Sequence, residues 1–200
     1  MAKKNILSSR RVKKIAMKNR PGVRSKPKSP AYARKNLTHM DTRGRAAMVD
    51  VGQKAVTARR AVAEARVMIS PELAQRIRKN SLTKGNVLNV ARLAGIQAAK
   101  RTDELIPLCH PLALDSIQVR AQLRRDHVYL WSEAKVTAKT GVEMEALLAV
   151  AIAALTVIDM GKSIDRGITV EGLRMLEKEG GRSGHFVAGK ATRSRRVAIT

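Results

Sequence analysis

Two prolines, Pro107 and Pro111, stiffen the segment IPLCHP at 106–111, so a loop presents Cys109 and His110 side by side. A thiol and an imidazole held together can exchange protons, bind a metal or grip a polar substrate. Taken alone, a buried Cys beside a surface His is the more frequent outcome. Zinc is disfavoured, because structural zinc takes four ligands, Cys109 is the single cysteine, and His39, His127 and His185 keep no ligand spacing with His110. Lys84 precedes Gly85 where a helix is about to begin, which offers phosphate both a cation and free backbone N–H groups. A solvated Lys is the ordinary alternative.

The run GVEMEAL sets Glu143 and Glu145 in the first turns of a long helix, a normal place for acids on dipole grounds. Residues two apart do not share a helix face, so the two carboxylates are not expected to act as a pair. Further on, Asp159 stands three residues before Lys162 and can share a face with it, as an acid/base pair or as a simple ion pair. Fourteen residues separate Glu145 from Asp159, which is about 1400° of rotation and about 21 Å of rise. The two therefore lie within roughly 40° of one face but cannot meet at one reacting atom through a single copy of the helix. Residues 184–190, GHFVAGK, imitate a phosphate-binding loop, yet Ala191 replaces the hydroxyl that would hold magnesium and too little chain follows for the helix. GGRSG at 180–184 reads as a turn in which Arg182 can reach an anion.

The elements that must carry these groups come in mixed order. AVAEARVMI at 61–69 reads as a strand, weakened by its alanines. Ser70, Pro71 and Glu72 open a helix running to about Lys79. Asn86 caps a second, with Val87, Val90, Ala91, Ala94 and Ala98 on one stripe. Residues 112–123 and 128–138 form a hairpin around RRDH, and 140–162 is the longest helix, with Thr140 and Glu143 at capping-box spacing. A last strand falls within 167–179. One hairpin without regular βαβ spacing argues for a single α+β domain.

Composition bounds the rest. The net charge of +24 is carried mostly by the ends: residues 1–36 hold 13 Lys/Arg and no acid, and residues 188–200 hold four more. The middle combines 23 Lys/Arg with all 16 acids. Both basic ends are expected to be disordered tails. They can attract nucleic acid or acidic surfaces without sequence preference, but 2% aromatic content leaves no stacking platform for a dedicated reader. One cysteine fits a reducing, cytoplasmic setting, while the Ser-dotted basic 1–36 can also pass for a transit peptide into the mitochondrial matrix. The longest apolar run, 146–158, is short for a bilayer, and no membrane association is expected.

Several segments taken together carry a resemblance. LTHMDTRGRAAMVDV (37–51), ARLAGIQAAKRTDELIPLCHPL (91–112), KTGVEMEALLA (139–149) and ALTVIDMGK (154–162) resemble the cyclic pyranopterin monophosphate synthase family, the molybdenum cofactor biosynthesis protein C family. LCHP followed some thirty residues later by TGVEMEAL is the most specific part. The likeness implies a domain at 37–187 with a ferredoxin-like antiparallel sheet and packed helices, assembled as a hexamer of three dimers with its pocket at a subunit interface. It implies a lyase that converts a cyclised dihydroguanosine triphosphate to cyclic pyranopterin monophosphate and releases diphosphate.

By the same resemblance Asp159, Lys162 and Lys84 are catalytic, and Leu108, Cys109, His110, Met144, Glu145, Asp50, Arg59 and Lys178 bind substrate. No resident metal or cofactor is required, although a divalent metal can accompany the triphosphate. Asn86, Gly161 and Arg182 depart from the family pattern, which usually has Asp, Cys and Lys there; none removes a proposed catalytic group. Two other readings compete: a nucleic-acid-associated protein working through its basic arms, and an inactive scaffold for other cofactor-synthesis enzymes. Intact Lys84, Asp159 and Lys162 favour the enzyme over the scaffold.

Overall fold

The computed structural model describes residues 44–182 and 184–189; of the basic ends, only Ala188 and Gly189 fall among them. Five strands, β1 (Thr57–Met68), β2 (Ser116–Leu123), β3 (His127–Ala138), β4 (Thr169–Glu179) and β5 (Phe186–Val187), form one sheet in the order β2-β3-β1-β4-β5. Every neighbouring pair is antiparallel. Helices α1 (Pro71–Arg78) and α2 (Val87–Ala99) and the single turn α3 (Thr102–Leu105) separate β1 from β2, and α4 (Glu143–Gly161) separates β3 from β4. With α2 and α4 as the two main helices, the succession β1-α2-β2-β3-α4-β4 is the ferredoxin-like α+β arrangement. The short β5 is an addition at one edge.

Alternation on the strands decides where the core lies. Ala61, Ala63, Ala65 and Val67 of β1 and Val128, Leu130, Ser132, Ala134 and Val136 of β3 share one buried face. The alanines that weaken β1 as a strand in sequence terms give α4 room to lie close over the centre of the sheet. Nine residues of α4 are buried, Val150 and Val157 completely, and each such side chain contributes about 1.5–3 kcal/mol. By length and hydropathy α4 could cross a membrane; burial against β1, β3 and α2 marks it instead as a core helix. Gly95 sets the approach of α2 to α4, since a Cβ there would lie 2.7 Å from the Ala149 carbonyl oxygen.

The expected helix starts at Ser70 and Asn86 are present: Ser70 Oγ accepts from Leu73 N–H at 3.3 Å and Asn86 Oδ1 from Asn89 N–H at 3.0 Å. Three expectations are corrected. The long helix starts at Glu143 behind Val142 with no side-chain cap; Glu143 folds back over Gly141 and pairs with Lys178, so the Thr140 capping box does not form. The hairpin strand begins at Ser116 instead of Leu112, because the chain leaving Pro111 stays irregular until Asp115 bonds the Lys135 carbonyl at 2.9 Å. On α2 the buried stripe is Val87, Ala91, Gly95, Ala98 and Ala99, which leaves Val90 and Leu93 exposed. At the far end of α4, a side chain on Gly161 would meet Leu73 Cδ2 at 2.6 Å, which explains a glycine there.

Candidate active site

The prolines around Cys109 and His110 hold the chain that leaves α3 in a loop, with Cys109 N–H bonded to the Ile106 carbonyl at 3.0 Å. That loop faces the first turn of α4. Between them opens a cleft of about 420 Å³ lined by Leu108, Cys109, His110, Met144 and Glu145 from the expected set. Lys54, Thr140 and Glu143 also line it, and the 49–54 turn supplies Val49 and Val51. Lys139 pins this turn by donating to the Gly52 carbonyl at 2.7 Å.

Glu145 is only 3% exposed, although it is an acid at a helix N-terminus. Burial pushes its pKa up from 4.5 to about 7, its own backbone N–H opposes the rise, and the nearby charges of Glu143 and Asp103 add to it. The carboxyl can therefore exist in both protonation states near neutrality. Burial also raises the Cys109 thiol, with Glu145 and Asp103 contributing, so Cys109 is an uncharged lining group rather than a thiolate nucleophile. Lys178 pairs with Ala61 in the sheet and so points to the helix side, where its Nζ meets Glu143 Oε1 at 3.2 Å. Glu143 and Glu145 share this cleft after all: Glu143 folds back toward the strand while Glu145 turns inward.

The other end of α4 carries a separate cluster. Asp159 Oδ1 takes Lys162 Nζ and Oδ2 takes Lys84 Nζ, each at 2.8 Å, and Lys84 also donates to the Asp159 carbonyl at 3.0 Å. Hydrogen bonds from Lys162 and then Lys84 lower the Asp159 pKa from 3.8 to about 2. All three side chains are exposed. None of them lines the cleft at the head of the helix, in keeping with the rise of about 21 Å between Glu145 and Asp159.

Three more expected residues lie outside that cleft's lining: Asp50, Arg59 and Lys178, the last of which reaches it through Glu143. Asp50 accepts from Gly52 N–H at 2.7 Å within the turn. Arg59 donates to the Ala138 and Lys139 carbonyls at 3.1 Å each and borders a second hollow with Arg60, Lys135 and Glu179. Lys54 had no sequence signal, since a single Lys in a polar segment has no spacing to mark it. Asn86, where the family pattern has Asp, keeps the capping function an acid would serve.

An acid poised near neutrality stands at one end of the core helix α4 and a lysine-clasped carboxylate at the other, with ammonium and imidazole groups from neighbouring loops and β4 beside them, on a ferredoxin-like frame. Residues 48–181 match the MoaC family, and the chain belongs to it. Membership implies an enzyme of molybdenum cofactor biosynthesis.

Proposed function

We propose that this chain is the lyase that turns 3′,8-cyclo-7,8-dihydroguanosine 5′-triphosphate into cyclic pyranopterin monophosphate and diphosphate. The observation that carries the reading is the division of acid/base and cationic groups between the two ends of α4. Ring opening and pterin closure need protons moved on and off nitrogen and carbon. Glu145, with its pKa near 7, suits that exchange, and the Asp159 carboxylate with Lys84 and Lys162 supplies an acceptor between two donors. In the final step a substrate hydroxyl attacks the α-phosphorus, which closes the cyclic monophosphate as the bond to diphosphate breaks. His110, Lys54 and Lys178 are available to balance the charge of the triphosphate.

A complete pocket then takes both ends of α4, and a second copy of the chain supplies the missing one. The outward side of α4 supports this partner. Met144 and Leu155 are exposed and Leu148 and Ile152 half-buried, an apolar stripe that leads from the cleft to Asp159. Ile152 is the midpoint between Glu145 and Asp159, so a two-fold axis beside it sets the head of one helix against the tail of the other. The hexamer of three dimers is proposed as a set of such pairs. Incubation of the purified chain with the cyclised triphosphate tests the reaction: pterin and diphosphate should appear in equal amounts, and an unchanged substrate would overturn it.

A further inference from the structure

Pairing between β4 and β5 brings together three side chains that sequence spacing leaves unrelated. Glu177 and Glu179 are two apart on β4 and so share a face, and the register Glu177↔Val187, Lys178↔Phe186 sets His185 beside Glu179 on that face. His185 Nε2 lies 2.9 Å from Glu177 Oε1 and 3.8 Å from Glu179 Oε1, and the three ligand atoms all fall within 4.8 Å of one another. Ligand atoms on a tetrahedral ion, each about 2.1 Å from it, stand about 3.4 Å apart, a spacing that these two distances bracket.

We propose that Glu177, Glu179 and His185 form a divalent transition-metal site that staples β5 to β4. One imidazole and two carboxylates suit zinc, cobalt or nickel, with water in the remaining positions. The surroundings orient the ligands. Arg60 holds Glu177 through Oε2 at 2.8 Å and leaves Oε1 turned to His185, as a second-layer partner does in metal centres. Arg60 also binds Glu133 at 2.5 Å and lies 3.5 Å from Glu179 Oε1, so its guanidinium borders both carboxylates of the set.

Such a staple has a purpose in this fold. β5 has only two residues, extended by one bond from Ala188 N–H to the Leu176 carbonyl at 2.7 Å. The glycines at 180 and 181 just before it press against the backbone of Ala58 and the guanidinium of Arg59. Fixing β5 fixes that turn, and with it the wall behind Arg59. The proposal does not depend on the reaction assigned above.

Cobalt titration of the chelator-stripped full chain tests it. One Co²⁺ per chain should bind with a visible ligand-field spectrum, and binding should raise the unfolding temperature. His185→Ala, Glu177→Gln and Glu179→Gln should each weaken binding by about tenfold or more and abolish the thermal shift, while His127→Ala leaves both unchanged. All three ligand side chains are at least partly exposed, so circular dichroism should report native folds. No spectrum at millimolar Co²⁺, or an affinity untouched by His185→Ala and by both Glu variants, would overturn the site.

Discussion

Replacing Glu145 by Gln should change how stability depends on pH more than it changes stability itself. The carboxyl is buried, and its pKa is raised from 4.5 to about 7, first by burial and then by Glu143 and Asp103. A raised acid pKa means that the folded chain holds the proton more tightly than the unfolded chain. The associated stability is complete below pH 4.5 and is lost as the pH climbs through 7. At about 1.36 kcal/mol per pH unit, the loss is on the order of 3 kcal/mol. Glutamine keeps the shape and has no proton to lose, so its constant packing offset does not alter the slope. For a domain of this size that difference is roughly 6–12 °C in unfolding temperature. Calorimetry on both proteins from below pH 4.5 to above pH 8 should find the Gln variant gaining on the parent by that amount across the interval. Parallel curves would mean that Glu145 is an ordinary ionised surface acid and would remove the reason for assigning it proton transfer.

Three further outcomes are expected. Asp159→Asn should abolish pterin formation with the fold intact, and Lys84→Ala or Lys162→Ala should each lower turnover by about two orders of magnitude if they move protons; a raised KM with unchanged kcat would place the lysines in binding instead. Deleting residues 1–36 should leave turnover of the purified protein unaltered, because the family match begins at residue 48; a steady-state assay of the shortened chain decides this. Leu155→Arg, which puts a charge on the exposed stripe of α4, should dissociate the assembly in sedimentation analysis and remove activity without unfolding the subunit.

Local rules made part of this molecule legible. Ser70 and Asn86 announce their helices because a capping bond spans only three residues and depends on nothing distant. Thr140 misleads for a tertiary reason: Lys178 on β4 draws Glu143 away from the cap, and no pattern around residue 140 contains that lysine. The α2 stripe turns toward Ala99 because Gly95 lets α4 approach closely, a contact between helices that periodicity cannot foresee. The separation of Glu145 from Asp159 follows from helix rise alone, whereas the burial that tunes Glu145 is a tertiary property that no local pattern contains. Glu177, Glu179 and His185 converge only through strand register, so their spacing along the chain is silent.

The claim that each pocket is completed by a second copy is tested most directly by mixing two inactive chains. Asp159→Asn and Glu145→Gln damage opposite ends of α4. In a mixed pair one pocket collects both lesions and the other receives the intact Glu145 of one chain and the intact Asp159 of its partner. Random exchange of equal amounts makes half of the pairs mixed, so about one quarter of the wild-type turnover should return. Pterin formation at that level after verified subunit exchange is the predicted result. Activity that stays at the level of the separate variants would contradict a shared pocket.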